Sequence, residues 1–197
     1  MSGERYDPVA NPYAPGAGTP PPALVGRDSI LADADISVRR LLNHRSTQHQ
    51  MVTGLRGTGK TVLLAKLAAV AEHRGFRVIR TEAVGGGDTV RAFLRQANRI
   101  LDDLDRAPLV SRALRSIESV SLTIAGSGFE VGRSEVRPDR EALADVVTDL
   151  AAAAGEQDLG IALAIDEAQM LDRGDLRRMF AGVHRCGQDG FPLWCVL

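Results

Sequence analysis

Apolar residues recur along this chain at two spacings, one typical of helices and the other typical of strands. Helical spacing, with apolar residues three or four positions apart, marks the segments 29–43, 62–71, 88–104, 140–154 and 175–186. Short continuous or alternating apolar runs mark strands at 49–53, 76–81, 161–165 and 191–197. Because strands and helices alternate along the chain, the pattern predicts an α/β fold with a mainly parallel sheet.

One segment, at about 107–138, departs from this alternation. Residues 109–117 predict a short helix. Residues 120–124 and 129–131 alternate on either side of a Gly-Ser-Gly turn at 126–128, which predicts an inserted β-hairpin. Such a hairpin would either contact a partner or pack on its own domain.

A glycine-rich stretch joins the strand at 49–53 to the helix at 62–71. Residues 54–61 (Gly-Leu-Arg-Gly-Thr-Gly-Lys-Thr) fit the pattern G-x-x-x-x-G-K-[ST] without a departure. The glycines let the backbone turn tightly, so that its N–H groups and the positive end of the helix form a phosphate cradle. Lys60 would place an ammonium on the β- and γ-phosphates of a nucleotide, and Thr61 would offer its hydroxyl to Mg²⁺.

Two acids end the apolar strand at 161–165. Asp166 and Glu167 follow Ile-Ala-Leu-Ala-Ile, a run typical of a parallel strand that is covered on both faces. Acids at a strand end are common without any function, but a complete phosphate-binding motif upstream favours a catalytic interpretation. Asp166 would then reach the same Mg²⁺, and Glu167 would orient the water that attacks the γ-phosphate.

Composition narrows the class of protein. The chain has 197 residues, 44% hydrophobic and 25% charged, with a net charge of −1, which is typical of a soluble globular protein. Residues 1–22 are rich in Pro and Gly and predict a disordered tail ahead of a domain at 23–197. Cys186 and Cys195 lack metal-ligand spacing and predict reduced thiols. Without an apolar signal core or a membrane-length run, we expect a cytoplasmic protein with no membrane partner.

The motif at 54–61, the pair Asp166–Glu167 and the sequence Leu-Val-Gly-Arg-Asp at 24–28 together resemble the AAA+ superfamily of P-loop NTPases. Within it, the chain is similar to bacterial origin-recognition-complex-like ATPases and to signal-transduction (STAND) ATPases. The resemblance implies a three-layer αβα sandwich. It also implies that the strand at 191–197 is central, beside the strand that leads into the glycine-rich turn.

The resemblance assigns a role to each matching residue. It implies that ATP phosphates bind to Gly54, Leu55, Arg56, Gly57, Thr58, Gly59, Lys60 and Thr61. Thr61 and Asp166 would hold Mg²⁺, and Glu167 with Lys60 would be catalytic. Val25, Gly26 and Arg27 would lie near adenine, and Thr81 is a candidate for restraining the catalytic glutamate.

The resemblance leaves the function open among three hypotheses. The first is an ATPase whose Mg-dependent hydrolysis drives a conformational switch. The second is a regulatory nucleotide-binding module with little turnover, and the third is an ATP-dependent DNA-binding protein. Relatives carry a polar sensor, an arginine finger and a helical lid after the strand at 191–197, so we expect this chain to be a fragment with weak turnover. We also expect a protein partner or self-association.

Overall fold

The computed structural model describes residues 26–55, 57–84, 87–105, 107–126 and 142–197. The helices are α1 (Asp28–Leu42), α2 (Lys60–His73), α3 (Asp88–Asp102), α4 (Pro108–Gly126), α5 (Ala142–Gly155) and α6 (Arg173–Asp189). The strands are β1 (Phe76–Glu82), β2 (Gly160–Asp166) and β3 (Leu193–Val196), and a short 3₁₀ turn covers Ala168–Met170. The predicted α/β fold is therefore confirmed, while the predicted tail at 1–22 lies outside the described residues.

The strands form one parallel sheet in the order β1-β2-β3. Ile79 lies beside Leu163 of β2, and Leu163 lies beside Cys195 of β3. On the far side of β3, Gln50 forms a parallel bridge with Val196. β3 therefore lies between β2 and the segment that leads into the glycine-rich loop, as the family resemblance implies.

The short strand predicted at 49–53 is not a continuous strand in the structure. It forms one isolated bridge, at Gln50, with hydrogen bonds from Gln50 N to Cys195 O (3.0 Å), from Leu197 N to Gln50 O (3.1 Å) and from Val52 N to Leu197 O (2.6 Å). Met51 is 70% exposed, and Val52 packs against the core only in part, so the segment buries little apolar surface. It nevertheless runs parallel to β3 and enters the loop at the same edge of the sheet.

Two apolar clusters cover the two faces of the sheet. Because side chains alternate along a strand, β2 sends Ile161, Leu163 and Ile165 to one cluster and Ala162 and Ala164 to the other. Helices α3 to α6 pack in the first cluster, and helices α1 and α2 pack in the second. Every residue of β2 except its last is buried. This arrangement is the three-layer αβα sandwich.

The predicted hairpin is wrong in its first arm. Residues 120–124 belong to α4, in which Val110, Ala113, Ile117 and Val120 form one buried line at helical spacing. Apolar residues at 120 and 124 fit a helix as well as a strand, because four positions are a multiple of two and also about one helical turn. Packing of α4 against α5 decides for the helix. The second predicted arm, at 129–131, lies outside the described residues.

Candidate functional site

The predicted phosphate loop and the predicted acids meet at the carboxyl edge of the sheet. Parallel strands present their carboxyl ends at one edge, so β2 delivers Asp166 to the edge at which the segment 50–52 enters the loop. A cavity of about 290 Å³ lies there, and its lining includes Lys60, Asp166 and Glu167. The structure thus brings together three of the predicted site residues, which are separated by about a hundred positions in the sequence.

The glycine-rich loop adopts backbone conformations that few other residues tolerate. Gly57 has φ +83° and Gly59 has φ +79°, both in the left-handed region. A Cβ atom at either position would meet nothing within 4 Å, so these glycines are needed for backbone conformation and open space adjoins them. Gly59 directly precedes Lys60, the first residue of α2, and makes no side-chain cap for that helix. The first N–H groups of α2 therefore need acceptors from outside the helix.

Lys60 and Thr58 close the loop on itself. The Lys60 Nζ donates to Gly54 O (3.0 Å) and Leu55 O (3.1 Å), and Thr58 Oγ1 donates to Leu55 O (2.8 Å). The ammonium is therefore bound to two carbonyl oxygens of the loop. Thr61 is exposed at the second position of α2, and Arg56 lies outside the described residues.

The acidic pair has a defined local geometry. Asp166 Oδ1 accepts a hydrogen bond from the Glu167 backbone N–H at 2.9 Å. Glu167 has φ +50°, which is uncommon for a residue with a side chain, and it begins the 3₁₀ turn. Its carboxylate accepts a hydrogen bond from the Gln169 side-chain amide. The sequence places Glu167 at the site, but only the structure shows that Gln169 holds its carboxylate.

The segment before α1 also reaches the loop. Gly26 has φ +77°, and the Arg27 Nη2 donates to Thr58 O at 2.6 Å. Of the predicted adenine-binding residues, Arg27 therefore contacts the glycine-rich loop, and Val25 lies outside the described residues. The contact joins residues that are 31 positions apart, and no local sequence pattern indicates it.

The rest of the cavity is mainly apolar. Its other lining residues are Met51, Val52, Thr53, Leu64, Ala168, Gln169, Leu176, Phe180 and Leu197. Leu176 and Phe180 are four positions apart on α6, the spacing of neighbours on one face of a helix. They stay half-buried at the cavity wall. An apolar wall lowers the local dielectric and strengthens interactions of the charged groups opposite it.

The donor set defines how a metal could bind here. Within the described ranges, no group of three or more His, Cys, Asp or Glu side chains is arranged to hold a metal ion. Of the two predicted ligands, Asp166 lines the cavity and Thr61 does not, and Mg²⁺ typically takes one or two protein oxygens and completes its shell with water and phosphate. The residues therefore fit a nucleotide-dependent Mg²⁺ and do not form a protein-only metal centre.

The titratable groups behind the site are perturbed by burial. Burial raises the pKa of Cys186 to about 12 and that of Cys195 to about 12, and both cysteines are free thiols. Burial also lowers the pKa of His49, whose Nδ1 accepts a hydrogen bond from the Cys195 backbone N–H at 3.1 Å. The thiols are therefore protonated at neutral pH, and neutral His49 joins the segment before the loop to β3.

This parallel sheet, with a glycine-rich loop and an acid-tipped strand at one edge, defines a P-loop NTPase-like α/β fold. The family model described as AAA ATPase domain matches residues 23–197, and the chain belongs to this family. Comparison with curated proteins gave no match, and comparison with solved structures gave none either. Among the helices of the described ranges, none has the length and apolar character needed to cross a membrane.

Proposed function

We propose that this chain binds Mg·ATP in the loop at 54–61 and hydrolyses it as a conformational switch. The observation that carries the proposal is the arrangement of Lys60, Asp166 and Glu167 around one cavity, beside a loop with two left-handed glycines. Family membership supports nucleotide binding. The proposal goes further, because it assigns hydrolysis and names the residues responsible.

Each side chain has a role that follows from its chemistry. Lys60 exchanges its carbonyl partners for phosphate oxygens and neutralises their charge. Thr61 and Asp166 provide oxygen ligands for Mg²⁺, which when bound neutralises charge on the phosphate oxygens. Glu167 leaves Gln169 and orients the attacking water, as a carboxylate does in phosphoryl transfer.

Calorimetric titration with Mg·ATP, beside an assay of phosphate release, tests this proposal. We expect Lys60→Ala to weaken binding by about tenfold or more, because it removes charge-assisted hydrogen bonds. Lys66→Ala is the matched control, since Lys66 is an exposed lysine on the same helix. Glu167→Gln should bind normally and lose turnover by about a hundredfold. Absence of Mg·ATP binding by folded wild-type protein would refute the proposal.

A second candidate function is a regulatory module that binds nucleotide and turns it over slowly. The hydrogen bond from Gln169 to Glu167 favours it, because a carboxylate that is held elsewhere is not free to orient water. Under this hypothesis Gln169→Ala should raise turnover by up to about tenfold and leave Mg·ATP affinity unchanged. Gln157→Ala is the matched control, since the Gln157 amide binds backbone groups of Asp105 away from the site. A fall in turnover in Gln169→Ala would instead mean that Gln169 positions Glu167 for the reaction.

A further inference from the structure

We propose that Arg27 is a positioning residue for the phosphate cradle: it holds the Thr58 carbonyl and thereby sets the direction of the Gly59 N–H. The inference rests on the proposed nucleotide binding and deepens it. It differs from the adenine contact that the family resemblance implies for Arg27. The guanidinium is bound to the loop itself, through Nη2 to Thr58 O at 2.6 Å.

The geometry of the peptide unit explains how a carbonyl contact can control a cradle. No cis peptide bond occurs in the part of the chain that the structure describes. In a trans peptide the C=O and the following N–H point in opposite directions. When Arg27 holds the Thr58 carbonyl, the Gly59 N–H must point away from Arg27. A fixed direction for that N–H is what an anion site built from backbone groups requires.

The loop benefits from such an external constraint because the glycines beside Thr58 leave its backbone conformationally flexible. Thr58 lies between Gly57 and Gly59, and glycine moves between left- and right-handed conformations at low cost. The peptide between Thr58 and Gly59 can therefore reorient more easily than one between two residues with side chains. Within the loop, Thr58 Oγ1 is tied to Leu55 O, but that bond leaves the Thr58 carbonyl free to turn.

Arg27 is well placed to act as this constraint. It is the N-cap residue of α1, it is half-buried, and α1 packs against α2, the helix that the loop begins. Its backbone is therefore anchored to the element that carries Lys60. A planar, permanently charged guanidinium makes a short, directional bond to a carbonyl, and lysine cannot reproduce its geometry.

The two roles for Arg27 predict different ligand dependence. A contact to the base matters only for ligands that contain adenine, whereas an effect through the cradle extends to any ligand that carries the phosphates. Tripolyphosphate provides the phosphates without the nucleoside. We therefore compare the affinities of Mg·ATP and Mg·tripolyphosphate for wild type, Arg27→Gln and Arg27→Lys by calorimetry.

We expect Arg27→Gln to lower the affinity for both ligands by the same factor, about tenfold. The affinities of Arg27→Lys should lie between those of Arg27→Gln and wild type. Arg40→Gln is the matched control. Arg40 lies on the same helix, and its Nε and Nη2 also donate to a backbone carbonyl, Ser46 O, at 3.2 and 3.0 Å. A lower affinity for Mg·ATP with an unchanged affinity for Mg·tripolyphosphate would overturn the proposal in favour of a base contact. Unchanged affinity for both ligands would show that the bond is dispensable.

A measurement without ligand separates this proposal from the proposed function. In ¹⁵N-labelled protein, we expect Arg27→Gln and Arg27→Lys to shift the Gly59 amide resonance and speed its hydrogen exchange, while Arg40→Gln leaves both unchanged. An unchanged Gly59 amide would overturn the role of Arg27 even if ATP binds well. Failure of wild type to bind either ligand would overturn the proposed function, whatever the Gly59 amide shows. Arg27→Lys keeps the positive charge and serves if Arg27→Gln does not fold.

Discussion

At the scale of single residues, the loop depends on the left-handed conformation of Gly59. A Cβ atom there would meet nothing within 4 Å, so a side chain would be opposed by backbone strain alone. We expect Gly59→Ala to lower the free energy of unfolding by about 1–2 kcal/mol. If the loop relaxes to avoid the strain, Mg·ATP affinity falls instead, because the N–H groups of the cradle turn away. Urea unfolding and calorimetry measure the two effects.

Gly187 is the matched control for this prediction. It lies within α6 without a left-handed φ, and a Cβ atom there would also meet nothing within 4 Å. Alanine in a helix is favoured over glycine, so Gly187→Ala should raise the free energy of unfolding by about 0.5–1 kcal/mol. The same substitution at two positions with open space should thus change the free energy of unfolding in opposite directions. Stabilisation by both would contradict the strain assigned to Gly59.

The meeting of Lys60, Asp166 and Glu167 at one cavity could be predicted from the sequence because each belongs to a short motif. The motif at 54–61 and the pair Asp166–Glu167 each occupy a local pattern, and the parallel sheet then brings Lys60 and the acids to one cavity. The contacts of Arg27 with Thr58 and of Gln169 with Glu167 could not be predicted in this way. They depend on side-chain direction after packing, which the order of residue types does not specify.

At the scale of elements, α4 and α5 are joined by a buried carboxylate. Asp149 on α5 has a side chain that is 5% exposed; it forms an ion pair with Arg112 Nε (3.0 Å) and accepts a hydrogen bond from Ser116 Oγ (2.7 Å), both on α4. Removing one partner of a buried charged group leaves part of its lost hydration uncompensated. Helix α5 in turn packs against β2, the strand that carries Asp166.

We expect Arg112→Ala to lower the free energy of unfolding by about 1–2 kcal/mol. The decrease is smaller than for a fully buried pair, because Arg112 is 62% exposed and water can partly replace its guanidinium. Arg91→Ala is the control, since it breaks a helical ion pair with Asp88 whose side chains are 49% and 66% exposed. That change should cost less than about 0.5 kcal/mol. Denaturant unfolding of both variants measures the two changes in the free energy of unfolding. Equal decreases would mean that the burial of Asp149 does not add to the cost of losing its partner.

Two elements are mispredicted from the sequence, for different reasons. At 120–124 the alternation of a strand also fits a helical line through Val120, and the packing of α4 on α5 selects the helix. At 49–53 the apolar pattern is too short to decide, and the chain pairs with β3 only at Gln50. Helix α3 and strand β2 are predicted correctly because each buries an unbroken stripe or run.

At the scale of the whole molecule, the candidate site lies at the carboxyl edge of the sheet, where residues from all three layers meet. The loop belongs to the layer of α1 and α2, Asp166 belongs to the sheet, and Leu176 and Phe180 belong to the layer of α6. A change that shifts one layer against another therefore changes the site. The polar segment before the loop is the weakest of these connections, because it holds to the sheet through one bridge and a few hydrogen bonds.

His49 makes this connection sensitive to pH. Its Nδ1 accepts the Cys195 N–H, so protonation of that nitrogen breaks the bond, and burial lowers the pKa of the imidazole below 6.5. The unfolded chain then binds more protons than the folded protein between the lowered pKa and 6.5. Stability is therefore complete above pH 6.5 and declines as the pH falls through that window.

We expect the free energy of unfolding of wild type to fall between pH 7 and pH 5, and the fall to be shallower in His49→Gln. A glutamine can keep an acceptor near the Cys195 N–H and does not titrate, so the variant separates charge from shape. His73→Gln, at the exposed end of α2, is the matched control and should retain the wild-type slope. Urea unfolding at half-unit steps measures the slopes. If His49→Gln kept the full decline, the pH dependence would not arise from the segment that carries the loop.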